Sequence, residues 1–123
     1  MDGLIVGIGL QSGATADDIL AALSEVFGKA SVDVLATVDV RAKDVGLHCA
    51  ASSLGVRIDT FTAADLAEVH VPNPGTASRD RLGTPSVAEA AAILASGGAA
   101  LVQQKRVVNG IVLAAARAQR PVP

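Results

Sequence analysis

The chain has 123 residues, half of them apolar, with 10 basic and 12 acidic side chains and a formal net charge of −2. That is the length of one domain, with enough apolar material for a core that needs neither disulfides nor metals. The slightly acidic balance, and aromatic side chains at Phe27 and Phe61 alone, exclude nucleic-acid binding driven by a basic field or by base stacking.

Cys49 is the single cysteine, which fits a reducing, cytoplasmic setting and leaves no thiolate metal cluster. Met1-Asp2-Gly3 does not read as a secretory leader. No apolar run approaches the roughly 20 residues that span a bilayer, so no membrane partner is expected.

Leu4 to Leu10 is a nearly continuous apolar run and reads as a strand buried on both faces. Gln11-Ser12-Gly13 is a turn. Thr15 and Asp18 then open a helix whose Ile19, Leu20, Leu23, Val26 and Phe27 share one stripe, closed by Gly28. Val32 to Val40 reads as a second strand with a polar, charged end, and Val45 to Leu54 as a second helix stopped by Gly55. Val56 to Phe61 alternates like a third strand. Thr62 and Asp65 start a short helix from Ala63 to about Val69.

Val71 to Leu82 is the longest irregular stretch, with Pro72-Asn73-Pro74-Gly75 favouring turns. Gly83-Thr84-Pro85-Ser86-Val87-Ala88-Glu89 signals a helix start several times over. Thr84 can cap, Pro85 fits the first helical position, and Ser86 with Glu89 spells a capping box. Val87, Ala90, Ala91 and Leu94 form that helix's apolar face, and Gly97-Gly98 stops it. Leu101-Val102 and Ile111 to Ala114 are strands joined through Asn109-Gly110, a hairpin signal. The order βαβαβα, loop, α, β-hairpin predicts an α/β fold: a mainly parallel five-stranded sheet with helices on both faces and the hairpin's antiparallel strand at an edge. Residues 1–117 are expected to form one domain and 118–123 a flexible tail.

Ligands of open α/β sheets gather at the carboxyl ends of the strands. Three segments should meet there: Gly9 to Thr15, Asp39 to Asp44, and the loop from Pro72 through Ser86. Gly9, Gln11, Ser12, Gly13, Asn73, Gly83, Thr84 and Ser86 offer N–H groups and polar side chains near helix starts, which favour anions. Thr37 and Asp39 close the second strand. Arg41 and Lys43 follow, either as carboxylate-binding cations or as a solvated salt-bridge cluster with Asp39. Lys105, just before the hairpin turn, completes the candidate ligand set.

Asp39 and Glu89 are the carboxylates that could activate water, although a capping role explains Glu89 better. Gly7-x-Gly9-x-x-x-Gly13 departs from the dinucleotide pattern, and the glycines are explained equally by close strand–helix packing. No Walker-type loop or serine triad is present in the sequence. His48 and His70 read as surface or structural residues, and Cys49 as a buried helix residue. No cofactor or metal is expected.

Together these segments resemble the CobE/CbiG C-terminal domain family of cobalamin (vitamin B12) biosynthesis. The resemblance runs through Val6-Gly7-Ile8-Gly9 with Gly13, Leu35-Ala36-Thr37-Val38-Asp39, Gly46-Leu47, Leu54-Gly55-Val56, Ala64-Asp65-Leu66 and Val71-Pro72-Asn73-Pro74. It continues through Gly83-Thr84-Pro85-Ser86-Val87-Ala88-Glu89-Ala90-Ala91-Ala92, Lys105 and Ala114-Ala115-Ala116-Arg117. The chain's length matches the family's stand-alone, CobE-like form. The resemblance implies a cytoplasmic protein that binds or handles a polycarboxylate precorrin or corrinoid intermediate, with other cobalamin-pathway enzymes as possible partners. The alternative it implies is a cobalt-precorrin-5A-type lactone hydrolase, or a detached C-terminal domain of one, releasing acetaldehyde.

Overall fold

The computed structural model describes residues 4–10, 14–28, 32–39, 43–69, 87–108 and 110–117. Within them the elements are β1 (Leu4–Gly9), α1 (Ala16–Phe27), β2 (Val32–Val38), α2 (Val45–Leu54), β3 (Arg57–Phe61), α3 (Ala63–Ala67), α4 (Val87–Ala95), β4 (Leu101–Val108) and β5 (Ile111–Arg117). The strands form one five-stranded sheet in the order β3-β2-β1-β5-β4.

This sheet is mixed, which corrects the expectation of a mainly parallel one. β1 pairs parallel with β2 and β2 with β3, whereas β5 runs antiparallel to both β1 and β4. The hairpin therefore contributes two antiparallel pairings. Its second strand sits beside the central β1, and its first strand is the edge. β5 tolerates the interior because Ile111 and Leu113 to Ala116 are buried, so it is covered on both faces.

Strand alternation sorts the core into two layers. Val6, Ile8, Leu35, Ile111, Leu113 and Ala115 pack with Ile19 and Leu23 of α1 and Leu47 and Ala50 of α2. On the other face, Ala36 and Val38 pack with Leu66 of α3 and Val87, Ala90 and Ala91 of α4. Helices thus cover both faces.

α4 lies close to the sheet because the sheet is nearly bare beneath it. A Cβ on Gly7 would overlap the carbonyl oxygen of Ala88 and crowd the amide nitrogen of Ala92. Ala114, opposite Gly7 on β5, adds only a methyl group. α4 is accordingly buried from Val87 to Ala92, more than the single stripe its sequence suggests.

Cys49 is exposed, against the expectation of burial. α2 turns Leu47, Ala50 and Ala51 inward, and Cys49 falls on the opposite side of that stripe. His48 is likewise exposed. Among the described residues, no helix is long and apolar enough to cross a membrane.

Candidate functional site

The carboxyl ends of β1, β2 and β3 are Gly9, Val38 and Phe61, and α1, α2 and α3 begin just after them. Gly9 pairs with Val112 at the start of β5, so the β4–β5 turn lies at the same edge of the sheet. Of the described candidate residues, Gly9, Asp39 and Lys43 lie at or just past this edge.

The segment before α1 meets the start of α2 there. A Cβ on Gly46, in the first turn of α2, would overlap the carbonyl oxygen of Ala14. The backbone leading into α1 therefore lies directly against the start of α2. Gly9 ends β1 on one side of this contact, and Asp39, Lys43 and Asp44 lead into it on the other. Gln11, Ser12, Gly13, Arg41, Asn73, Gly83, Thr84 and Ser86 lie outside the described residues.

The helix starts at this edge differ chemically. Thr15 Oγ1 accepts the Asp18 N–H at 3.1 Å, and Thr62 Oγ1 accepts the Asp65 N–H at 3.0 Å. α1 also carries Asp17 and Asp18 in its first turn, and α3 carries Asp65. These carboxylates complement the positive helix ends themselves and oppose an outside anion. At α2 the Asp44 side chain makes no capping hydrogen bond, and the first turn contains no acidic residue. Exposed Lys43 precedes it, and Val45, its first residue, is 75% exposed. The start of α2 thus combines backbone donors that Asp44 does not cap, the Asp44 carboxylate itself, a cation and apolar surface.

Thr37 is fully buried, and its hydroxyl donates to the Ile8 carbonyl oxygen at 2.7 Å. This bond ties β2 to β1 inside the sheet and commits the hydroxyl proton there. Asp39 is exposed just past β2. Arg57 begins β3 and Arg117 ends β5 opposite Leu4, so both stand at the amino end, away from this edge. The Asp59 side chain, hydrogen-bonded to Arg57 at 3.0 Å, raises the guanidinium pKa by that bond and by its charge.

Lys105 belongs to β4 and lies well inside that strand rather than at the turn. Pairing jumps from Gln103–Ala115 to Arg106–Leu113, so Gln104 and Lys105 together oppose Ala114 in a bulge. The Lys105 N–H donates to Glu89 Oε2 at 2.9 Å, and Glu89 is 0% exposed. This contact between α4 and the edge strand was not legible from the sequence. Its signal, an acid sixteen residues before a bulge, appears only once pairing is known. Among the described residues no group of three or more His, Cys, Asp or Glu side chains could hold a metal ion.

Residues 4–116 match the family model described as Cobalamin synthesis G C-terminus. No match is found among curated proteins. Of the solved structures, CobE, a protein from the cobalamin (vitamin B12) biosynthetic pathway, is similar with TM-score 0.84 and 30% identity, over 94% of this chain and 90% of that one. Cobalamin biosynthesis protein chiG from Agrobacterium tumefaciens is similar with TM-score 0.69 and 36% identity, over 91% of this chain and 95% of that one. A cobalamin biosynthesis protein G homolog from Sulfolobus solfataricus shares the fold, with TM-score 0.72 and 18% identity, and this chain spans 37% of its length. With its β1-to-β5 span matched by the family model, and a solved relative 30% identical over nearly its whole length, the chain belongs to the cobalamin synthesis G C-terminus family of cobalamin biosynthesis.

Proposed function

We propose that this protein binds a polycarboxylate corrinoid or precorrin intermediate at the carboxyl edge of its sheet and holds it for another enzyme of cobalamin biosynthesis. The observation that carries this reading is the start of α2. Its backbone donors have no side-chain cap from Asp44, with exposed Lys43 and 75% exposed Val45 beside them. Peripheral carboxylates suit N–H groups and a cation, and an apolar macrocycle suits an exposed aliphatic side chain. Membership of a cobalamin-synthesis family supports a ligand from that pathway. Gly9, Gln11, Ser12, Gly13, Arg41, Asn73, Gly83, Thr84 and Ser86 would line the rest of the site.

A second reading, lactone hydrolysis with acetaldehyde release, is favoured by the exposed Asp39 carboxylate at the same edge. There Asp39 would take a proton from the water attacking the lactone carbonyl, and backbone N–H groups would stabilise the oxyanion. Collapse of the oxyanion would break the ring C–O bond to leave an acid and an alcohol, and a following C–C cleavage of that alcohol would release acetaldehyde.

The test is an absorbance titration with hydrogenobyrinic acid and with precorrin intermediates. The protein contains no Trp or Tyr, so its own absorbance leaves the corrinoid bands clear. Saturable binding of at least one of these, weakened about tenfold by Lys43→Glu, is the expected result. Absence of binding to every one of them, with and without pathway enzymes, contradicts the reading. Acetaldehyde release that Asp39→Asn abolishes would establish the second instead.

A further inference from the structure

We infer that Glu89 is a positioning residue: it fixes the start of α4 to the β4 bulge, thereby setting the geometry of the ligand-facing edge, and it is not the base that activates water. The inference rests on the corrinoid-binding reading of that edge.

Glu89 stands in the first turn of α4 and is 0% exposed. Its Oε2 accepts the Lys105 N–H at 2.9 Å, where Gln104 and Lys105 oppose Ala114. A bulge interrupts the ladder and leaves a strand N–H in need of another acceptor. A carboxylate oxygen accepts hydrogen bonds, so it suits such a donor. The carboxylate reaches the strand backbone because α4 rests directly on Gly7 and Ala114. A buried carboxylate is costly unless it is hydrogen-bonded, and the Lys105 N–H supplies such a bond here.

A general base must reach its proton directly or through one water. Glu89 is sealed from bulk water, and its Oε2 is directed at the β4 backbone. What it controls is the first turn of α4. Val87 packs in the cluster that holds Val38, the last residue of β2, and Ala88 sits over Gly7. Displacing this turn moves the wall of the edge without removing any group that touches ligand.

Wild type, Glu89→Gln and Glu89→Ala separate these roles. Gln keeps an acceptor oxygen but cannot act as a base. Two readouts apply at a temperature where circular dichroism shows all three folded: amide hydrogen exchange at Lys105, and Kd for hydrogenobyrinic acid. Glu89→Gln should keep slow exchange at Lys105 and a Kd within about threefold of wild type. Glu89→Ala should lose protection at Lys105 and raise Kd about tenfold.

Unchanged Lys105 exchange in Glu89→Ala overturns the anchor. Lost protection with unchanged Kd overturns the positioning role and leaves only a structural one. Acetaldehyde release by wild type that Glu89→Gln abolishes, with Kd retained, makes Glu89 the base and also overturns the inference. If Glu89→Ala does not fold, Lys105→Pro deletes the donor instead, with Lys105→Ala controlling for the lost cation. Absence of corrinoid binding by wild type refutes the function reading, and the exchange comparison still decides the anchor.

Discussion

Gly7 determines how closely α4 approaches the sheet. Its missing side chain is occupied by helix backbone, with the Ala88 carbonyl oxygen lying where a Cβ would be. Backbone cannot rotate aside as a side chain tip can, so Gly7→Ala must push α4 outward. We expect a loss of about 1–3 kcal/mol, the usual cost of overpacking a core, measured by urea denaturation. An unchanged midpoint would mean that α4 is not seated as described. At this scale the sequence was half informative. Gly7 was legible as a packing glycine, but its partner is α4, eighty residues away, rather than the helix that follows β1. Thr37 likewise carries a polar group in a strand end, which reads as ligand-binding. The pairing of β1 with β2 instead puts the Ile8 carbonyl within reach of its hydroxyl.

At the scale of elements, helix boundaries follow from interactions three to five residues long, and those were legible. Thr15 and Thr62 accept N–H groups three residues ahead, as a capping side chain must. Gly55 stops α2 in the left-handed region at φ 71°, where a side chain would be strained. Thr15→Ala should therefore cost about 1 kcal/mol, read as a lower melting temperature with ligand affinity unchanged. A loss of affinity at constant stability would give Thr15 a direct part in the site. Strand pairing is not local, which is why the sheet departed from expectation. Asn109-Gly110 announces a hairpin but not which strand it joins. Ala114 to Ala116 are all buried where β5 lies beside β1, with Ala114 opposite Gly7 under α4. The bulges in β4 bend and interrupt an edge that would otherwise invite another strand.

At the scale of the whole molecule, the fold separates support from recognition. The amino end carries Arg57 and Arg117, and the carboxyl edge carries the helix starts, Asp39 and Lys43. Most of these helix starts provide their own carboxylates, so the edge as a whole is not an indiscriminate anion sink. The start of α2 differs in that its carboxylate, Asp44, makes no capping hydrogen bond and no acid follows in the first turn, and the contact of Gly46 with Ala14 ties it to the segment after β1. That convergence was legible from chain order and the strand-end rule. The distinction between capped and uncapped starts was not, because it depends on side-chain orientation.

The central claim is that a corrinoid polycarboxylate docks on this edge. Amide chemical-shift mapping of the 12.3 kDa protein during titration with hydrogenobyrinic acid tests it most directly. The account predicts saturable shifts at Gly9 and at Val45 to Leu47, with Leu4, Arg57 and Arg117 unmoved. Shifts confined to the amino end, or none at saturating ligand, would contradict it.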